Sequence, residues 1–116
     1  MGTFDLAGYR EAALAMDARR WIAYFAEDAT WTEYRPSAPP RDPHVMRGRE
    51  EIGDFLREVC ADDLRLEFGN EVLDERRAAY TLTCVLPDGR RIVENTILEH
   101  RDGLIVWLDE VEAWDV

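Results

Sequence analysis

Residues 24–34 carry an acidic side chain where it could serve as a general base. The stretch ends a predicted helix, turns, and enters a strand in which Trp31 and Glu33 share one face, because strand side chains alternate. A carboxylate in an apolar cavity has a raised pKa, since burial disfavours its charged form. Such a group can take a proton from carbon or water and return it. We expect Glu33 to act in this way with a raised pKa, and Trp31 to wall the pocket; alternatively, Glu33 ends its strand in solvent beside Arg35.

A base of this kind needs partners for the negative charge that develops on a substrate oxygen. Fixed hydrogen-bond donors supply that stabilisation, and each is typically worth about 2–4 kcal/mol of barrier. A tyrosine hydroxyl and an asparagine amide both donate without being ionised. The chain therefore needs elements that hold such donors opposite Glu33.

Three helices are predicted in the first half of the chain. Thr3 or Asp5 can cap the first, and Asp17 the second. The third follows Gly48, and its apolar residues have the i, i+3, i+4, i+7, i+8 spacing of an amphipathic helix: Ile52, Phe55, Leu56, Val59 and Cys60. Between the first strand and this helix, residues 35–47 contain four prolines, which exclude a helix or a central strand and predict a stiff loop.

Strand patterns occupy the rest of the chain. After a first strand at residues 29–34, alternating runs follow at residues 64–68, 78–86, 92–100 and 104–113. Asp102-Gly103 is a hairpin signal between the last two. This order predicts an α+β fold, a curved antiparallel sheet with the three helices packed on one face, and residues 1–116 form a single domain.

Composition excludes several function classes. The net charge of −11 argues against binding to nucleic acid or to an anionic membrane surface. No signal peptide or membrane-spanning stretch is expected. Cys60 and Cys84 lack metal-ligand spacing, and we expect them to be reduced core residues of a cytoplasmic protein. His44 and His100 are too few and too isolated for a zinc site, so we expect neither a metal nor a cofactor.

The pattern aromatic-Ala-(Glu/Asp)-Asp-Ala-Thr, followed by a strand, resembles the nuclear transport factor 2-like superfamily. That group includes ketosteroid isomerases and SnoaL-like polyketide cyclases, as well as non-catalytic members. Residues 7–33 match the ketosteroid isomerase pattern without a gap, and residues 48–52 match the start of its third helix. The resemblance implies a cone-shaped sheet whose concave face is covered by the helices and encloses a ligand cavity.

The resemblance also implies roles for individual residues. Tyr9 falls at the position of an oxyanion-hole tyrosine, and Glu33 at that of an aspartate base. Asn95 falls at that of a protonated acid that donates to the oxyanion. This sequence departs from the family in having glutamate as base and asparagine as donor. Tyr9 could instead be an ordinary core tyrosine, and Asn95 a hydrogen-bonded polar group within the sheet.

The family register, counted from Gly103, sends further side chains toward the cavity. On the last two strands these are Arg91, Val93, Leu108, Glu110 and Glu112. The two glutamates could line the pocket or stand solvated at its rim. If they line it, the site suits a cationic or hydroxylated ligand.

The leading hypothesis is a cofactor-free isomerase, cyclase or lyase for a small hydrophobic carbonyl compound. The alternative is a non-catalytic ligand-binding or dimeric interaction protein, since one scaffold can host both. Ile105, Trp107 and Val111 fall on the outward face of the last strand, with Ile92 and Leu98 beside them. This apolar set predicts a homodimer packed through the convex face of the sheet.

Overall fold

The structure is a computed structural model that describes residues 3–115. Three helices and six strands follow one another in this part of the chain. Their order is α1 (Leu6–Leu14), α2 (Ala18–Ile22), β1 (Phe25–Tyr34), β2 (His44–Arg47), α3 (Gly48–Ala61), β3 (Arg65–Leu73), β4 (Arg77–Val85), β5 (Arg91–Arg101) and β6 (Leu104–Trp114). The predicted α+β class is confirmed. Among the described residues, no helix is both long and apolar enough to cross a membrane.

The helix starts follow from local sequence signals. The side chain of Asp5 accepts a hydrogen bond from the backbone N–H of Gly8 at 2.9 Å, and Asp17 accepts one from Arg20 at 3.2 Å. Each carboxylate satisfies a backbone donor that has no partner within the helix. The predicted capping positions of the first two helices are therefore confirmed, with Asp5 rather than Thr3 as the first cap.

The six strands form one curved, unclosed sheet in the order β2-β1-β6-β5-β4-β3. All neighbouring strands are antiparallel except β1 and β6, which run parallel. The expected curved antiparallel sheet thus includes one parallel pair. The proline-rich segment also contains an unpredicted strand, β2, which begins directly after Pro43. It lies at the edge of the sheet, where proline-bounded strands are tolerated.

The hairpin between β5 and β6 has the turn that Asp102-Gly103 predicts. Both residues have positive φ, 54° and 81°, as a two-residue type I′ turn requires. Close to the turn, His100 pairs with Ile105. The next residue of β5, Glu99, pairs with Trp107, which is two residues further along β6. Val106 is therefore an extra residue, a β-bulge that shifts the pairing of the rest of the hairpin by one.

The bulge changes which side chains face outward. Ile105, Ile92 and Leu98, expected on the outer face, are all buried. The alternate residues of β5 face outward instead. The exposed apolar side chains of β5 and β6 on this face include Val93, Ile97 and Val111, and the half-buried Trp107 lies beside them. The inner face packs against the helices in one apolar core.

Candidate functional site

A cavity of about 200 Å³ lies between the inner face of the sheet and the helices. Most of its wall is aromatic or aliphatic, and its polar side chains come mainly from β1, β5 and β6. The wall includes Trp21, Trp31, Phe55, Leu56, Val59, Leu66, Tyr80, Leu82, Cys84 and Ile92, and its acidic residues are Glu33, Glu94, Glu110, Glu112 and Asp62. An apolar pocket with a few convergent polar groups is the usual form of a small-molecule site.

Glu33 reaches this cavity from β1 and is only 1% exposed. Its Oε2 lies 3.0 Å from Nδ1 of His44, the residue directly opposite on β2, and 3.9 Å from Nη1 of Arg35. Burial acts to raise the pKa of Glu33, but hydrogen bonds with Glu110 and His44 and the charge of Arg35 outweigh it. The pKa of Glu33 is therefore lowered, which contradicts the expectation of a raised value.

Glu110 stands beside Glu33, as its direct partner in the parallel pairing of β1 and β6. It is 3% exposed and hydrogen-bonds with the carboxyl groups of both Glu33 and Glu94. Burial, together with the charges of Glu94 and Glu33, holds the pKa of Glu110 well above its ordinary value. The pKa values of these two adjacent carboxyl groups are therefore pushed apart, because two charges so close in a buried site cannot both persist.

Glu94 and Glu112 face each other across β5 and β6 and extend the acidic cluster. Burial raises the pKa of Glu94 to about 7, although the hydrogen bond with Glu110 acts to lower it. The thiol of Cys84 lies 3.5 Å from Oε2 of Glu94. Burial likewise raises the pKa of the half-buried Glu112, which accepts a hydrogen bond of 2.8 Å from Nε1 of Trp114.

A tyrosine pair stands next to the acids. The hydroxyl oxygens of Tyr9 and Tyr80 are 2.7 Å apart, and both rings are buried. Tyr80 lines the cavity, whereas Tyr9 lies behind it in the core. Burial raises the pKa of both phenols, so both remain neutral donors at physiological pH.

The expected inward orientation of three residues of β5 is corrected by the structure. Asn95, Val93 and Arg91 are all exposed on the outer face of the sheet. Without the bulge Asn95 would pair with Glu110 and share its face, but the extra residue pairs Asn95 with the outward Val111. The amide oxygen of Asn95 instead accepts a hydrogen bond from the hydroxyl of Thr81 at 3.3 Å.

The other expected site residues lie on the inner side of the sheet. Trp31, Glu33, Glu110 and Glu112 line the cavity, while Leu108 is fully buried in the core. Sequence reasoning missed Glu94, Tyr80 and His44. Glu94 would have been predicted if the even-numbered residues of β5 had been assigned to the inner face. The buried residues of this strand are Ile92, Glu94, Thr96, Leu98 and His100. His44 carried no such signal, because its role depends on the unpredicted strand β2.

Three of the carboxyl groups come close enough to surround a cation. Glu33, Glu110 and Glu112 each offer an oxygen atom, and these atoms lie within 4.8 Å of one another. A carboxyl group that keeps its proton is a poor ligand, and the guanidinium of Arg35 already lies beside Glu33. These oxygen atoms therefore form one acidic cluster on the cavity wall.

Comparison with known proteins agrees with this architecture. Residues 6–108 match the SnoaL-like domain. The chain belongs to the SnoaL-like domain family. The resemblance to nuclear transport factor 2-like proteins is thereby confirmed. No curated protein matches this SnoaL-like sequence.

Several solved structures have the same fold as this SnoaL-like chain. A proposed ketosteroid isomerase from Kribbella flavida has 23% identity and a TM-score of 0.74, over 95% of this chain and 74% of that one. An NTF2-like protein of unknown function from Mesorhizobium loti has 15% identity and a TM-score of 0.79, over 90% and 84%. The epoxide hydrolase/cyclase-like enzyme SalBIII, described for pyran ring formation in the polyether salinomycin, has 18% identity and a TM-score of 0.68, over 96% and 88%.

Proposed function

We propose that this protein is a cofactor-free acid–base enzyme, an isomerase, cyclase or lyase, that acts on a small, largely apolar carbonyl compound in the cavity. The observation that carries the proposal is a pair of adjacent carboxyl groups with opposite pKa shifts: that of Glu33 is lowered and that of Glu110 raised. Titratable groups whose surroundings push their pKa values apart are the usual acid and base of an active site. Glu33 is then the base and Glu110 the acid.

The two carboxyl groups can move protons in a balanced cycle. In an isomerisation, Glu33 removes a proton from the carbon next to the substrate carbonyl, while Glu110 donates its proton to the carbonyl oxygen. The resulting enol takes the proton from Glu33 at a second carbon and returns the hydroxyl proton to Glu110, so both groups are reset. In a ring closure, Glu33 takes the proton of a hydroxyl whose oxygen bonds to the carbonyl carbon, while the carbonyl π bond opens and Glu110 protonates its oxygen. The proton on Glu33 then passes to the adjacent Glu110, so both groups are reset. Tyr80, held by Tyr9, is a neutral donor on the same cavity wall.

The cavity supports this class of substrate. Its aromatic and aliphatic wall favours a largely apolar molecule, and its volume of about 200 Å³ limits the buried portion to a small one. The class also agrees with the descriptions of two structural neighbours, a proposed ketosteroid isomerase and a cyclase-like enzyme. The four glutamates around one apolar space favour oxygen-bearing groups on the part of the substrate that meets them.

Proton exchange in D₂O tests the proposal without knowledge of the natural substrate. Small enolisable ketones are incubated with the protein, and loss of their α-proton signals is followed by ¹H NMR. We expect exchange above the buffer rate with at least one ketone. Glu33→Gln should slow it by about 10²-fold or more, the usual contribution of a general base. Glu75→Gln, which alters an exposed glutamate in the turn before β4, is the matched control and should keep full activity.

Two results would refute the assignment of Glu33 as base, and the first of them would favour the non-catalytic alternative. One is a ketone that perturbs the amide spectrum of Trp31 and Tyr80, and so binds in the cavity, without any catalysed exchange. The other is catalysed exchange that survives Glu33→Gln at the native rate. Either outcome removes the assignment of Glu33 as base.

We also infer a homodimer that packs through the outer face of the sheet. Val93, Ile97 and Val111 are 40%, 40% and 59% exposed there, and Trp107 lies beside them. Contiguous exposed apolar side chains of this kind usually mark an interface, and a two-fold axis would bring the same patch of both copies together. Sedimentation at micromolar concentration tests it, because a single 13.5 kDa species would exclude the dimer.

The two cysteines and the net charge support a proposed location and proposed partners. Cys60 and Cys84 are unpaired, as expected in the reducing cytoplasm, where we place the protein. Its partners are then a small ligand and a second copy of the chain. The strong negative charge disfavours nucleic acid and anionic membranes.

A further inference from the structure

His44 contacts the acid–base pair but takes no part in the proposed proton transfers. It lies on β2 directly across from Glu33, with Nδ1 at 3.0 Å from Oε2. Its side chain is 37% exposed, whereas that of Glu33 is 1% exposed. The imidazole also packs edge-on against Phe55, with 5.9 Å between ring centroids. Pairing of the strands and packing of the ring therefore both hold the imidazole toward Glu33.

The contacts of Glu33 are divided between its two oxygens. Both His44 and Arg35 approach Oε2, so Oε1 carries neither of these contacts. A ring N–H at Nδ1 donates to Oε2, and a hydrogen bond to the charged form of a carboxyl group favours that form. At 3.9 Å, Arg35 adds charge without a close hydrogen bond. His44 is thus the closer of the two groups that hold Oε2.

The Glu33–Glu110 pair lies among many other titratable groups. Tyr80 and Cys84 come from β4, Glu94 from β5 and Glu112 from β6. On the outer side, His44 shares a groove with Arg35, with Glu58 of α3 and with Asp62, which directly follows that helix. The carboxylates of the cavity oppose any further negative charge there. A donor to Glu33 therefore favours placement of the negative charge of the pair on Glu33.

We propose that His44 is a positioning residue that keeps the shared proton of the Glu33–Glu110 pair on Glu110. Its Nδ1–H holds Oε2 of Glu33 as a carboxylate oxygen and leaves Oε1 available as the base. When this donor is lost, the preference of the proton for Glu110 over Glu33 weakens, with no net uptake of protons. The catalytic meaning of this placement rests on the proposed function, but the placement itself is a property of the free protein.

Carboxyl ¹³C NMR of glutamate-labelled protein, titrated with pH, measures the placement without substrate. His44→Phe keeps a ring against Phe55 but has no donor, and His44→Gln keeps a neutral donor. In His44→Phe we expect the titration midpoint of Glu33 to rise by about one pH unit or more, and that of Glu110 to fall. His44→Gln should recover part of both shifts, which a purely structural role for the ring would not produce. Amide spectra confirm that each variant keeps the fold.

Either of two results would overturn the proposal: an unchanged midpoint for Glu33 in His44→Phe, or the same shifts in His44→Gln as in His44→Phe. If His44→Phe does not fold, the native protein still decides. The ¹⁵N shifts of the His44 ring at the high-pH end of the titration must show the proton on Nδ1, and a proton on Nε2 alone would exclude donation to Glu33. Because no turnover is measured, these outcomes are independent of the ketone-exchange assay, and either experiment can fail without the other.

Discussion

Glu94 should make the stability of this protein fall as pH rises toward and above neutrality. Burial raises its pKa from the ordinary 4.5 to about 7. Between these values the folded chain holds a proton that the unfolded chain has released, so folding is favoured below pH 4.5 and this advantage is lost as pH rises through 7. A difference of about 2.5 units at 1.36 kcal/mol per unit gives a loss of about 3 kcal/mol.

Glu94→Gln removes this contribution while preserving the local shape. An amide resembles the protonated carboxyl group but never ionises, and its oxygen can still accept from the thiol of Cys84. We expect the free energy of unfolding of the variant, relative to the native protein, to rise by about 3 kcal/mol between pH 4 and pH 8. Loss of the Glu94 charge also relieves Glu110, which adds to the effect in the same direction.

Urea unfolding at pH 4, 6 and 8, at one protein concentration, measures the effect through the midpoint and slope. Glu75→Gln is the control, because it removes an exposed carboxylate and should run parallel to the native protein at every pH. Parallel pH curves for Glu94→Gln and the native protein would show that Glu94 ionises equally in both states. The assignment of a protonated acidic cluster around the cavity would then fail.

Three further predictions concern single contacts. Tyr80→Phe leaves the buried hydroxyl of Tyr9 without its partner, and should lower the free energy of unfolding by about 1–3 kcal/mol in urea titrations. Gly8→Ala should also destabilise, although alanine favours helices, because the new Cβ would overlap the capping carboxylate of Asp5; a stability gain by thermal melting would contradict this. Trp107→Glu places a charge on the outer sheet face and should shift sedimentation to a 13.5 kDa species while the cavity NMR signals persist.

Local sequence signals determined much of the fold. Asp5 and Asp17 carry capping carboxylates, and Asp102-Gly103 supplies the two positive φ angles of a tight turn. The apolar spacing of α3 likewise requires only neighbouring residues along one helix. In each case the cause lies within a few residues of its effect, so the sequence alone is sufficient. The same is true of Glu33, because it lies two residues after Trp31 on one strand and therefore shares the inner face with it.

The rest of the site depends on pairings between distant segments. The bulge at Val106 has no distinctive residue type, yet it turns Asn95 outward and brings Glu94 inward, because one extra residue reverses strand parity. The parallel contact of β1 with β6 puts Glu110 beside Glu33, and β2 adds His44 from across an unpredicted pairing. The sequence predicted a carboxylate in a cavity, but its charge is set by these neighbours. Only the tertiary structure could decide that the pKa of Glu33 is lowered while that of Glu110 is raised, since burial alone would raise the pKa of both.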